Sequence, residues 1–136
     1  MARGEKTRCG NRWTEARYTS FIKSALRGAS RKWQPLNECL RRARVRRGWY
    51  KCEGCNKEIP SSITIDGKRH KNAVVDHVEP IVPTTGFESW DSFIERLFCE
   101  VDKLQLLCRE CHNTKTKAET AERAAARRAK KEVDNE

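Results

Sequence analysis

Apolar residues in the first 48 positions recur at helical spacing and predict two short helices. Aromatic and aliphatic side chains three and four residues apart predict an amphipathic helix over about 14–28, with Thr14 as N-cap and Gly28 near its end. We interpret its stripe as a face that packs against a core. The stripe consists of Tyr18, Phe21, Ile22, Ala25 and Leu26.

The second predicted helix begins near Pro35, which suits a first turn, and runs to about Arg47 before Gly48 ends it. Its arginines are expected to face outward. The residues expected to face inward are Leu36, Leu40, Ala43 and Val45. Residues 1–12, which precede both helices, are predicted to form a disordered basic tail.

The middle of the chain carries β signals. The segment WYKCEGCN at 49–56 predicts a tight hairpin, and the weakly alternating segment 61–68 meets a turn signal at Asp66-Gly67. The β-branched segment 72–78 predicts a strand that ends before Pro80. Aromatic residues at helical spacing then predict a helix over 87–101, and a last helix is predicted from about Cys111, fraying past about residue 125.

The composition supplies little hydrophobic core. Only 37% of the 136 residues are hydrophobic, against roughly 45–50% in typical globular chains, and seven are cysteines. A metal or disulfides are therefore expected to help stabilise the fold. The sequence has no apolar run long enough for a membrane span and no signal-peptide pattern at its start, so we expect a reducing, cytoplasmic location.

The positive charge is concentrated at the beginning of the chain. Residues 1–51 hold 15 Lys+Arg and three Asp+Glu, whereas residues 52–136 hold 14 Lys+Arg and 16 Asp+Glu. The whole chain has a formal net charge of +10. This asymmetry favours a nucleic-acid-binding segment over a merely solvated basic surface or a membrane-binding one. The candidate DNA contacts there are Arg41, Arg42, Arg44, Arg46 and Arg47.

Two cysteine pairs have the spacing of metal ligands. Cys52 and Cys55 form one C-x2-C pair, and Cys108 and Cys111 form the other. Four thiolates in a tetrahedral array select zinc, and such closed sites are structural; reduced thiols or a disulfide are the alternatives. The 52 residues between the pairs exceed what a zinc ribbon needs, so a further structure is expected there. The other three cysteines are interpreted as core residues (Cys39 and Cys99) and an incidental thiol (Cys9).

Two histidines stand in suggestive positions. Asp76-His77 ends the predicted strand at 72–78, and His112 follows Cys111 directly. Neighbours on a strand point to opposite sides, so we expect one of Asp76 and His77 to bind a cation and the other to handle a proton. The alternatives are a polar strand end for the first pair and a zinc ligand or helix cap for His112.

The chain carries C-x2-C, VVDHVEP and LQLLCRECHNTKT in this order. In these motifs it resembles the HNH endonucleases, particularly small free-standing phage members that have a ββα-metal site and a zinc ion bound by four cysteines. The resemblance covers about 50–117, and the segment GFESWDSFIERLFCE and the basic arm are also similar. It implies His77 as general base and Asp76 and His112 as ligands of Mg2+, Mn2+ or another divalent transition ion, giving 5′-phosphate and 3′-hydroxyl ends.

One position departs from the family pattern. The family commonly has an asparagine before the Leu-Gln of the last motif, and Lys103 occupies that place. We expect Lys103 either to contact the scissile phosphate or to mark a weakened nuclease. Lys115 and Lys117, near the start of the last helix, are interpreted as phosphate contacts or as solvated side chains. The basic segment around His70 is interpreted as an exposed loop or as a further phosphate contact.

The sequence thus predicts an α+β chain with a ββα-metal HNH core. The predicted parts are a basic helical DNA-binding segment (1–48), a zinc-braced nuclease domain (49–120) and a charged helical tail (121–136). The predicted function is nicking or double-strand cutting of double-stranded DNA, in the host cytoplasm if a phage encodes the chain, with a monomer favoured and no membrane partner. HNH sites serve homing, packaging, restriction and repair, and the resemblance to small phage members favours homing or an accessory role in packaging. The alternatives are a non-catalytic zinc-finger DNA- or RNA-binding protein and, more weakly, a zinc nucleobase deaminase, whose cysteine motif is incomplete here.

Overall fold

A computed structural model describes residues 4–135, which combine four α-helices with small antiparallel sheets. This mixture confirms the α+β class. The chain divides into two compact units, up to Trp33 and from Gln34 onward. Within the described residues no helix has both the length and the apolar character needed to cross a membrane.

The first unit is a short hairpin followed by a helix. Strand β1 (Lys6–Arg8) pairs antiparallel with β2 (Trp13–Thr14), and helix α1 (Glu15–Ser30) follows directly. The Thr14 hydroxyl accepts a hydrogen bond from the Arg17 backbone N–H, which confirms the predicted N-cap. The predicted disordered tail is wrong for residues 4–12, because β1 pairs with β2; residues 1–3 lie outside the described residues.

The apolar face of α1 is not a core face within this unit. None of the residues of α1 is buried, and 59% of Phe21 is exposed. Trp13 meets Phe21 edge to face with ring centroids 5.2 Å apart, and the Arg17 guanidinium lies 4.4 Å from the Trp13 ring centroid. The two short strands are too small to cover a 16-residue helix, so the prediction of a buried stripe was wrong.

The second unit begins with helix α2 (Gln34–Ala43), which packs against the core strand β9 (Leu104–Cys108). The helix ends at Ala43 rather than Arg47, because the next residues form β3 (Arg44–Arg46) and turn through Gly48 (φ +79°) into β4 (Trp49–Lys51). Val45 therefore lies on a strand, 44% exposed, and its predicted inward position was wrong. The buried core comprises Cys39, Ala43, Cys52, Ile59, Ala73, Leu104, Leu106, Leu107 and Cys108.

Three small sheets make up the middle of this unit. Strand β5 (Glu58–Pro60) pairs with β4, and β6 (Ser62–Ile65) pairs with β7 (Lys68–Lys71) through the predicted turn at Asp66-Gly67, where both residues have positive φ. The predicted strand at 72–78 is β8 (Ala73–His77), antiparallel to β9. Its register places Asp76 opposite Gln105.

The remaining two helices differ in length from their predictions. Helix α3 (Trp90–Leu97) is shorter than the predicted 87–101, because Ser89 caps its start and the backbone leaves helical geometry at Phe98. A 3-10 turn (Val101–Lys103) then leads into β9, and helix α4 (Arg109–Asp134) follows. Helix α4 starts earlier than predicted and continues past residue 125, in keeping with the high helix propensity of its Ala, Arg and Lys residues.

Candidate functional site

Four cysteine sulfurs converge where β9 meets α4. Cys52 follows β4, Cys55 lies in the next turn, Cys108 ends β9 and Cys111 lies in the first turn of α4. All four sulfurs lie within 4.8 Å of one another. Four thiolates about 2.3 Å from one zinc ion would be about 3.8 Å apart, so the cluster has the dimensions of a structural zinc site.

Local structure prepares these thiols for a metal. Burial raises the pKa of Cys52, but backbone N–H donors of Cys55, Cys108 and Gly54 outweigh it and lower the pKa to about 7. A hydrogen bond with Cys108 and burial raise the pKa of Cys111 to about 12. The Cys52 thiol therefore ionises more readily than the thiols of Cys108 and Cys111, whose pKa values are both raised.

The turn between the first two cysteines packs closely against the second pair at Gly54. A Cβ atom on Gly54 would lie 3.2 Å from the Cys111 sulfur and 3.2 Å from a Leu107 methyl carbon. The neighbouring Glu53 accepts a hydrogen bond from the Leu106 backbone N–H, and its carboxylate pairs with Arg42 at 3.0 Å. Glu53 therefore ties the cysteine turn to β9 and α2, a role that sequence reasoning missed.

Asp76 and His112 face each other from β8 and α4. His112 Nε2 lies 3.8 Å from Asp76 Oδ1, while Asp76 Oδ2 accepts hydrogen bonds from Gln105 Nε2 (3.1 Å) and Lys115 Nζ (3.0 Å). The Asp76 side chain is only 14% exposed, against 35% for His112. The structure thus brings together the two residues for which the resemblance implies a shared ion.

His77 contacts a different element. Its Nε2 lies 3.1 Å from the backbone carbonyl of Leu97, at the end of α3. A carbonyl oxygen only accepts hydrogen bonds, so Nε2 must carry the proton and a neutral ring has its lone pair on Nδ1. His77 also lines a cavity of about 490 Å³ whose charged residues include Lys103 and Arg96. Glutamates contribute three more charged groups to this lining, at Glu79, Glu88 and Glu95.

Lys115 lies inside the site rather than on a free surface. Its ammonium bonds to Asp76, to the His77 carbonyl oxygen at 3.0 Å and to Glu119. Burial lowers its pKa, but the bonds to Glu119 and Asp76 outweigh this and raise the pKa overall. Sequence reasoning missed Glu119; its i,i+4 spacing from Lys115 was the available signal.

The candidate DNA contacts differ in their surroundings. Arg41, Arg44 and Arg47 are exposed. Arg42 donates to Glu53 and to the Leu104 carbonyl oxygen at 2.9 Å, and Arg46 pairs with Glu58 at 2.9 Å. Arg42 therefore holds α2 against β9, whatever else it binds.

The three remaining cysteines lie apart from the cluster. Cys39 is fully buried on α2, and burial raises the pKa of its thiol to about 11, which confirms its interpretation as a core residue. Cys99 packs partly against the same core but lies beyond the end of α3 rather than on it. Cys9 is exposed.

A scan against protein-family models, a search of curated proteins and a search of solved structures each found no match for this chain.

Proposed function

We propose that this chain is a metal-dependent DNA endonuclease whose active site lies between β8 and α4. The observation that carries the proposal is the pair formed by Asp76 and His112, with His77 on the opposite side of the same strand. Two antiparallel strands followed directly by a helix (β8, β9 and α4) also have the order of a ββα-metal unit. The cysteine cluster at the β9–α4 junction would fix where this helix begins.

The residues of the pair suit a catalytic divalent ion. Two donor atoms that each lie about 2.1 Å from one ion are at most about 4.2 Å apart, and the Asp76 and His112 atoms are separated by 3.8 Å. A carboxylate oxygen and an imidazole nitrogen suit Mn2+ and other transition ions, and Mg2+ through the carboxylate. When bound there, such an ion would stabilise the negative charge on the leaving 3′ oxygen.

His77 is suited to act as the general base. Its bond to the Leu97 carbonyl oxygen orients the ring and leaves Nδ1 free to accept a proton from water. Because Asp76 and His77 point to opposite sides of β8, proton removal and ion binding are assigned to separate side chains. The scissile phosphate would lie at the end of β8, within reach of both.

The charge distribution supports a DNA substrate. A groove of about 1040 Å³ runs along α4 beside the cysteine cluster, and its lining includes Lys57, Arg109 and Lys117. Lysine and arginine side chains that contact phosphates release condensed counterions, which makes binding favourable and salt-dependent. The exposed side chains of Arg41, Arg44 and Arg47 are further candidate phosphate contacts in the same unit.

One observation favours the second candidate, a non-catalytic zinc-binding DNA- or RNA-binding protein. The Lys115 ammonium already bonds to Asp76, so the carboxylate is neutralised without a divalent ion. This candidate keeps the zinc site and the basic surface but predicts that bound nucleic acid remains intact in Mg2+ or Mn2+.

The distinguishing experiment incubates zinc-loaded protein with supercoiled plasmid and phage genomic DNA, in Mg2+ or Mn2+. We expect nicking or linearisation by the wild type and at least a 100-fold loss in Asp76→Ala, His77→Ala and His112→Ala. His70→Ala, on the β6–β7 hairpin, is the matched histidine control and should retain activity. Binding without cleavage under every ion would contradict the endonuclease and favour the second candidate.

A further inference from the structure

Three side chains share one face of α4, and two of them, His112 and Lys115, contact β8. His112, Lys115 and Glu119 occupy positions i, i+3 and i+7, so they share one side of the helix. The Lys115 side chain is 23% exposed, and its ammonium has three acceptors: Asp76 Oδ2, the His77 carbonyl oxygen and Glu119. An ammonium has three N–H bonds, so all three are used.

These bonds fix the orientation of the Asp76 carboxylate. Oδ2 accepts from both Lys115 and Gln105, whereas Oδ1 faces His112. Rotation of the carboxylate would break two hydrogen bonds, one of which comes from a charged donor. The same ammonium bonds to the backbone of His77, so one side chain restrains both adjacent residues.

We propose that Lys115, held by Glu119, is a positioning residue that makes Asp76 bind its divalent ion through Oδ1 alone. The proposal rests on the endonuclease function proposed above. A fixed positive charge beside Oδ2 repels the ion, so Lys115 weakens ion affinity while it orders the site for cleavage.

The test uses variants that change this charge in opposite directions. Lys115→Met removes the repelling charge, so the affinity for Mn2+ should rise at least threefold, while the cleavage rate at saturating Mn2+ falls at least tenfold. Glu119→Gln leaves the ammonium less neutralised, so Mn2+ affinity should fall at least threefold. A merely structural role of Lys115 would weaken Mn2+ binding in both variants and lower their melting temperatures together.

Mn2+ binding is measured on the zinc-loaded full chain by electron paramagnetic resonance. Asp76→Asn identifies the signal that belongs to this site, and Lys130→Met, at an exposed position near the end of α4, is the matched lysine control. The wild type should bind one Mn2+ that depends on Asp76.

Four results would overturn the inference. If Lys115→Met matches Lys130→Met in Mn2+ affinity and cleavage rate, Lys115 does not position Asp76. The same conclusion follows if Lys115→Met and Glu119→Gln shift the Mn2+ affinity in the same direction. If Lys115→Met does not fold, an unchanged or raised Mn2+ affinity of Glu119→Gln contradicts the proposed role of Lys115. If the wild type binds no Asp76-dependent Mn2+, the endonuclease proposal fails as well.

Discussion

Loss of the four-cysteine site should unfold the second unit, and Cys108→Ser is the perturbation that tests this. The cluster joins the turn after β4 to the β9–α4 junction, more than 50 residues away along the chain. Cys108 is 8% exposed and its sulfur accepts a hydrogen bond from the Cys111 backbone N–H at 3.4 Å, so the serine would alter both the ligand set and a contact at the start of α4.

The size of the effect follows from the small core. A unit of this length has a net stability of about 5–15 kcal/mol, and structural zinc contributes about 10–16 kcal/mol in zinc-finger peptides at pH 7. Few large side chains are fully buried here: Phe93, Leu104 and Leu106 are the largest in the described residues. Zinc loss therefore removes a free energy as large as the whole net stability.

The assay is thermal unfolding followed by circular dichroism, together with a colorimetric count of zinc released by a thiol-modifying reagent. Wild type and Cys9→Ser, which changes an exposed cysteine outside the cluster, should release one zinc ion per chain and unfold in one sharp transition. Cys108→Ser and chelator-treated wild type should lose that transition. A Cys108→Ser protein that keeps its zinc and melts within a few degrees of wild type would refute the reasoning.

Three further predictions follow from the same contacts. Gly54→Ala should weaken zinc binding at least tenfold in a chelator competition, because its Cβ would press on the Cys111 sulfur; unchanged affinity would show that the turn can shift. Arg42→Leu should lower the free energy of unfolding in urea by about 1–3 kcal/mol, through its lost bonds to Glu53 and a β9 carbonyl; no change would make this ion pair dispensable. Arg44→Gln with Arg47→Gln should weaken DNA binding and reduce the salt slope by about two in fluorescence anisotropy titrations; an unaltered slope would place these arginines away from DNA.

The sequence predicted local structure where one strong signal acted alone. The cap at Thr14, the turn at Asp66-Gly67 and the strand before Pro80 follow from the chemistry of one or two residues. The cysteine cluster followed from ligand spacing, because a metal site restricts both residue type and separation.

The predictions that failed depended on tertiary contacts. The stripe on α1 has normal amphipathic spacing, but spacing cannot show that its own unit offers nothing large enough to cover it. The segment 44–46 continued a helical pattern, yet pairing with β4 made it a strand. The bonds of Lys115 and Glu53 connect segments far apart in sequence, so no local pattern predicts them.

Chemical rescue of a His77→Gly variant tests the central claim most directly. The account predicts that His77→Gly loses plasmid cleavage in Mn2+ and that added imidazole raises the cleavage rate of this variant at least tenfold. Free imidazole can replace both the base and its bond to the Leu97 carbonyl oxygen. Imidazole should not restore Asp76→Gly, which lacks an ion ligand rather than a base. Full activity in His77→Gly without imidazole, or equal rescue of both variants, would contradict the division of roles between His77 and Asp76.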